Sequence, residues 1–424
     1  MPARSPFAFA DFRFYWIARL AGMLGSSAML LVIGWQVYNI ARLTMDPAAA
    51  AAQIGFVGLI QFVPLFVLTP ITGWLADRVD RRAIAAGSAA LQTIGAAVLA
   101  WFTWTEAMTL PVLFVVAGLL GIARAFAGPA TGALAPNLVP RESLPNAIAL
   151  SSIAWQAGMV GGPGIGGYLY AWIPASAYWA SAALFFLSFV CLLLIGPVPR
   201  AAMERDRHPV RQMIDGLSYV RTNRLVLGAI TLDLFAVFLA GANALLPIYA
   251  RDILKVGPEG LAQLGAAPAV GAALTALFFA FRPLRSQVGT KMLGAVALFG
   301  VATIVFGLSR SMPLSLAALF VAGSADMFSV YVRQSLIQIH TPDPMRGRVG
   351  AVSQLTISAS NELGDAQSGF LAAAIGPVGA AVVGGAGAIA VTLLYVARFP
   401  ELRRARTFDD SPSPDQLSKT ASTA

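Results

Sequence analysis

Long apolar stretches separated by short polar connections run along the whole chain. Twelve of them come near the roughly twenty residues that a helix needs to cross a bilayer. Their limits are 14–40, 53–75, 83–104, 110–135, 145–172, 176–197, 225–250, 262–281, 290–309, 313–338, 349–375 and 378–398. The pattern predicts an all-α polytopic membrane protein with twelve transmembrane helices. The longest polar connection falls halfway. It divides the chain into an N-terminal six-helix bundle (1–198), a linker (199–224), a C-terminal six-helix bundle (225–398) and a polar tail (399–424).

Composition agrees. The 424 residues are 57% hydrophobic and 12% charged, with a mean hydropathy of +0.72, whereas a soluble domain carries about 25% charged residues. The net charge of +9 sits mostly in short connections, which favours a membrane surface over nucleic acid. With the N-terminus in the cytoplasm, the outer connections hold only Arg42, Arg251, Lys255 and Arg310 of the 29 basic residues. The bias of Lys and Arg toward the inner side predicts cytoplasmic termini and a cytoplasmic linker. The first apolar run is longer than that of a signal peptide and lacks a small-residue cleavage site. Cys191 is the one cysteine and lies in an apolar run, while His208 and His340 are far apart in expected loops. No cysteine or histidine metal centre is predicted.

Gly158, Gly162 and Gly166 recur every four residues, so they share one helix face where a neighbouring backbone can come close. Pro163 removes a backbone hydrogen bond and crowds the carbonyl four residues before it, so a bend is expected there. This segment is expected to slide against a helix of the other bundle. A packing face with no further role is the plain alternative. A dinucleotide loop at Gly162, Gly164 and Gly167 fits poorly, because both flanks read as membrane helix rather than a strand before and an exposed helix start after.

The halves repeat. A shift of 202 residues pairs Gly121 with Gly323, Pro140 with Pro342, Ser151 with Ser353, Gly162 with Gly364 and Gly167 with Gly369. The same shift sets Arg124 opposite Asp326. Two parallel six-helix repeats with a site between them is a transporter architecture.

The residues Gly73-Trp-Leu75-Ala-Asp77-Arg78-Val-Asp80-Arg81-Arg82 resemble the loop signature of the major facilitator superfamily, with Asp80 where glycine is usual. Leu120-Gly-Ile-Ala-Arg124-Ala-Phe-Ala127-Gly128 is similar to the fourth-helix motif of its proton-linked members, with Ala127 replacing the common glutamine. Gly158, Gly162, Pro163, Gly166 and Gly167 match the fifth-helix motif of its antiporters. A closer resemblance is to the enterobactin-exporter branch of the drug:proton antiporters. It rests on Asp11-Phe-Arg13-Phe-Tyr-Trp16, Pro344-Met-Arg346-Gly-Arg348-Val, Ser360-Asn361-Glu362-Leu-Gly364 and Phe399-Pro-Glu-Leu-Arg403. The resemblance implies the major facilitator fold, with two pseudo-symmetric bundles in a bacterial inner membrane. It also implies proton-driven export of a small amphipathic molecule, and Gly73, Asp77, Arg78 and Arg81 as gating residues beside the fifth-helix glycines.

Charges at membrane depth carry the coupling chemistry, since each is costly and normally faces a partner or a water-filled cavity. Arg124 is a fixed positive charge. Gln354, Ser358, Asn361, Glu362, Asp365 and Ser368 form a polar stripe at helical spacing, with Glu362 and Asp365 one turn apart. Two close carboxylates shielded from water resist ionising together, which suits a group that loads and unloads a proton. The proton-coupling candidates are Glu362, Asp365 and Asp326; the cavity candidates are Arg124, Asp326, Gln61 and Gln354. A fixed pair of Asp326 with Arg333 is the alternative role for Asp326. Asp233 and Arg19 are expected to snorkel or pack near helix ends.

The function expected is a secondary active transporter with no cofactor, driven by a proton gradient and working as a monomer in lipid on a small-molecule substrate. A proton symporter importing a nutrient is the alternative. An enzyme or receptor ranks below both, since no His-Glu-x-x-His or Gly-x-Ser-x-Gly pattern occurs and no phosphate loop offers an ATP-driven route.

Overall fold

Prolines and capping side chains open several of the helices. Asp46 accepts the Ala49 amide with Pro47 in the first turn, and Asn223 caps the helix that begins the second half. Asp80 accepts the Arg82 amide at φ −57°, so the loop signature closes here with a side-chain cap and needs no glycine.

The computed structural model describes residues 5–132, 134–197, 209–282, 284 and 286–408. The first half holds α1 (Ala10–Thr44), α2 (Pro47–Arg78), α3 (Arg81–Trp104), α4 (Leu110–Gly132), α5 (Leu144–Trp172) and α6 (Pro174–Leu194). A connecting helix, α7 (Pro209–Thr222), precedes α8 (Arg224–Leu239) and the short α9 (Leu246–Ile248). Then come α10 (Gly257–Phe281), α11 (Val288–Leu308), α12 (Met312–His340), α13 (Asp343–Arg398) and α14 (Pro400–Arg404).

Ten segments among the described residues are long and apolar enough to cross a membrane. The last of them, Met345–Arg398, has 54 residues, about 80 Å of helix at 1.5 Å per residue. Within it Gly376 takes φ 81° and ψ 158°, a conformation open essentially to glycine alone, and Pro377 follows. Two helices therefore join at Gly376, at the boundary expected between the eleventh and twelfth apolar stretches. The 29 residues of α5 are also long enough to cross. Exposed Ile94, Leu193, Leu194, Leu393 and Leu394 give the bundle the apolar exterior that a bilayer requires.

The repeat reappears as equivalent packing. Gly121 meets the Gln61 backbone and Gly323 meets that of Pro268. Gly369 meets Gly55, and Gly167 meets Ala262. Gly162 sits on Leu24 and Ala28 of α1, while Gly364 sits on Val237 and Phe238 of α8. Each half thus lays its fifth long helix on its first, and its fourth on its second. Small residues permit these approaches.

The halves meet along two seams, α2 on α13 and α5 on α10. A Cβ on Gly58 would fall 2.9 Å from the Glu362 carbonyl oxygen, and one on Gly265 would fall 3.2 Å from the Pro163 side chain. These contacts lie toward the end where α1 turns into α2. Following the same helix faces toward the end that holds the N-terminus brings Phe66, Ser152, Ala351 and Gln354 to exposed positions. Cross-half packing is thus tight toward the α1–α2 end, and the same faces are uncovered toward the terminal end.

Several expectations are corrected. The linker is not wholly polar chain: α7 docks on the second half, where Gly216 closes on the Arg348 backbone, Asp215 pairs with Arg348 at 3.2 Å and Tyr219 donates to the His340 carbonyl at 2.5 Å. Val220 is buried with Val226, Ile230 and Val349, which explains why a charged segment folds onto the bundle. The tail begins as a docked helix, with Leu402 fully buried and Glu401 2.9 Å from Arg224. The seventh apolar stretch breaks after Leu239 and passes through a π turn at Tyr249–Ile253. His340 closes α12 rather than standing in a loop; His208 lies outside the described residues. α5 is one helix with Pro163 inside it, at the position where the bend is expected.

Candidate functional site

Arg124 of α4 and Glu362 of α13 form an ion pair at 2.6 Å that joins the two halves. Glu362 is buried, whereas about a third of Arg124 is exposed. The same guanidinium donates to Gln61 Oε1 on α2 at 3.1 Å. Gly121 lets α4 press against the Gln61 backbone, and Gly58 does the same for α2 against α13, so glycines set the spacing that the ion pair spans. This corrects the expected opposition of Arg124 and Asp326. Symmetry-related positions face each other around the axis, but touching depends on which helices abut at the seam.

Behind Arg124 a cavity of about 20 Å³ is lined by Ser26, Gln61, Gln92 and Arg124 among apolar side chains that include Met29 and Phe185. That volume accommodates about one water. Gln92 is buried and was missed in the sequence, because a single glutamine in an Ala-rich helix carries no periodic signal.

Asp365 lies one turn beyond Glu362 and faces the backbone amide of Ala244, in the break after α8. The expected carboxylate neighbourhood is present, but only Glu362 of the two holds an ion pair with Arg124. Asp326 is half-buried on α12 and has no hydrogen-bond or ion-pair partner among the described residues. Its neighbour Met327 accepts a long contact from Gln156 of α5 at 3.7 Å, which places Asp326 beside a cross-half contact. Gln354 is exposed two turns from Glu362 on the same face, apart from the ion pair.

Arg333 does not pair with Asp326. It forms a buried ion pair with Asp233 of α8, wholly inside the second half. Asp233 therefore neither snorkels nor sits at a helix end. α8 starts at Arg224, which sets Asp233 roughly 14 Å along the helix. Arg19 is likewise held in place, donating to the Ser151 carbonyl of α5 at 3.2 Å, beside a Tyr15–Ser151 hydroxyl contact of 2.9 Å.

The fifth-helix motif divides its work. Gly158, Gly162 and Gly166 pack on Met23, Leu24 and Ala28 of α1 in the same half, not on the other bundle as expected. Pro163 and Gly167 are the members that face α10 across the seam. Of the loop signature, Arg81 opens α3, while Gly73, Asp77 and Arg78 end α2 with their side chains outside the described residues.

A second cross-half cluster closes the α1–α2 end. Tyr38 donates to Asp252 Oδ2 at 2.6 Å, and Arg42 approaches the same oxygen at 3.4 Å. Arg251 donates to the Asn39 carbonyl at 3.1 Å and to its side-chain oxygen at 2.6 Å. In the sequence Arg42 and Arg251 are only orientation signals. Their partners come from the π turn, which carries Arg251 and Asp252 to α1. Among the described residues no group of three or more His, Cys, Asp and Glu side chains could hold a metal ion.

An all-helical bundle of two equivalent halves, with an interior charge pair between them, defines a secondary transporter of the major facilitator fold. The chain belongs to the family described as transmembrane secretion effector, which matches residues 2–421. It is 26% identical over 411 residues to the enterobactin exporter EntS of Citrobacter koseri (strain ATCC BAA-895 / CDC 4225-83 / SGSC4696), covering 95% of each chain. Among solved structures, a mutant of the peptide transporter POT superposes with a TM-score of 0.73 at 14% identity, covering 96% of this chain and 98% of that one. A mutant of the nucleoside transporter NupG superposes at 0.72 with 13% identity, covering 92% of this chain and all of the other. The protein is a multi-pass membrane transporter of small molecules.

Proposed function

We propose that this transporter exports a small amphipathic molecule, a siderophore or drug-like compound, across the bacterial inner membrane in exchange for protons. The observation that carries the coupling is the Arg124–Glu362 pair between the halves, with Asp365 one turn away. Proton arrival at Glu362 cancels its charge, and Arg124 falls back on Gln61 in its own half. The link between the halves is then gone, and they can rock about the site. Proton release restores the pair. Asp326 and Gln354 line the route to the substrate in this reading. The bodies that rock are residues 1–198 and 225–398, with cytoplasmic termini, so the uncovered faces lie toward the cytoplasm and the Tyr38–Asp252 cluster closes the outside. The export direction and substrate class are supported by the relatives named enterobactin exporter.

The test uses inverted membrane vesicles with an acid interior, offered enterobactin or an amphipathic dye. Accumulation inside, collapsed by a protonophore and lost in Glu362→Gln, is the expected result. Accumulation that ignores the gradient, or that requires the opposite one, overturns the proposal.

A further inference from the structure

The tail motif Phe399-Pro-Glu-Leu-Arg403 has no part in the central site, yet it builds a recess of its own. The Val288 and Gly289 amides donate to the Arg406 and Ala405 carbonyls at 3.4 and 3.1 Å, and the Thr290 hydroxyl reaches the Arg403 carbonyl at 3.3 Å. Leu402 and Ala405 are buried against Val288, Met292 and Leu293, so the peptide carrying the arginines is anchored along its length. Arg403, Arg404 and Arg406, with Gln287 and Thr290, surround a cavity of about 560 Å³. That size lies within the range of small-ligand sites. Among the described residues no carboxylate lines it, and the nearest acid in the motif, Glu401, is occupied by Arg224.

We infer that this recess binds a phosphate-bearing anion, and that a phospholipid headgroup supplies it. The first-turn amides of α11 already serve the tail carbonyls, so recognition falls to the guanidiniums, whose planar forks match phosphate oxygens. Depth favours the lipid. Gln287 and Thr290 stand at the start of Val288–Leu308, an apolar segment of membrane-crossing length, so the recess opens where headgroups lie. Basic recesses at helix ends on the cytoplasmic face suit anionic headgroups.

Native mass spectrometry of the full chain tests this, with phosphatidylglycerol, phosphatidylcholine and inorganic phosphate as separate probes. The parent should retain phosphatidylglycerol over phosphatidylcholine. Arg403→Ala with Arg404→Ala should weaken that binding roughly thirty-fold, taking about 1 kcal/mol per arginine near the surface and about 1.4 kcal/mol per factor of ten. The matching lysine pair should keep most of it. If inorganic phosphate binds as tightly as the lipid, the anion site stands and its source is soluble. Should the alanine pair fail to fold, Arg404→Gln, a single change at an exposed position, should still lower the lipid preference. Unchanged selectivity in a folded variant overturns the inference.

Discussion

Arg124 of α4 and Glu362 of α13 are bonded at 2.6 Å although they belong to opposite halves of the chain. Their helices do not lie along each other: α2 intervenes, touching α4 through Gly121 and α13 through Gly58. The pair therefore senses any slide of α2 on α13, and its two members should fail differently when altered. Arg124→Gln leaves the buried Glu362 carboxylate without its countercharge, a cost that solvent reaching the part-exposed Arg124 site reduces below that of a fully buried pair. We expect it to lower downhill exchange in proteoliposomes at least tenfold. Adding Glu362→Gln should bring exchange back to within roughly threefold of the parent without restoring accumulation. An equally inactive double variant would mean that the charges hold the fold rather than couple transport.

Two glycines of one motif should also separate. Gly162 is in closest contact with Ser27 and Leu24 of α1, so Gly162→Leu overpacks the interior of one half and should destabilise it by about 1–3 kcal/mol. Gly167→Leu presses instead on Ala262 of α10 and should part the halves at the α1–α2 end. Thermal unfolding in detergent should report the first, and spin-label distances across the seam the second. A Gly167→Leu protein with unaltered distances would show that the contact plays no part in gating.

Asp252→Asn should loosen the closed end by weakening the hold on Tyr38 and Arg42 while leaving Arg251 on Asn39. Faster modification of a cysteine placed at Ala244 is the expected outcome, in a protein whose Cys191 has been replaced. Unchanged reactivity would assign the cluster to static packing.

The buried Arg333–Asp233 pair predicts the opposite behaviour from Arg124–Glu362. Removing either partner should destabilise the fold by about 3–5 kcal/mol, whereas Asp233→Leu with Arg333→Met should regain most of that loss. Transport per folded molecule should survive in the double variant. Uphill transport lost from a stable double variant would move the proton site to this pair.

Orientation can be tested at Ser218, exposed on α7. With Cys191 replaced, Ser218→Cys should react with a membrane-impermeant maleimide only after the cells are permeabilised. Labelling of intact cells would invert the assignment.

Helix length, the internal repeat and the glycine faces were all legible in the chain, because each depends on spacing within a segment. Gly162 and Gly364 could be matched by counting, and both turned out to seat their helices on the first helix of their half. Partners across space were not legible. The shift that aligns Arg124 with Asp326 reports equivalence, whereas contact was decided by the crossing of α2 with α13, and this gave Arg124 to Glu362. Asp233 was misplaced because its buried partner, Arg333, comes from another helix, which spacing within one stretch cannot show. The docked α7 was hidden by its charges: it buries one narrow face, Gly216 and Val220, and leaves the rest polar or exposed.

The central pair also has an electrical consequence. Arg124 and Glu362 together carry no net charge, so a carrier that reorients with the pair intact moves none of theirs through the field. On the proposed cycle the proton-loaded carrier holds Arg124 uncompensated, and a membrane potential acts on it with about 2.3 kcal/mol per charge for each 100 mV crossed in full. The proton-loaded return then responds to voltage as well as to pH, whereas a neutral cargo carried out with the pair intact moves no charge through the field.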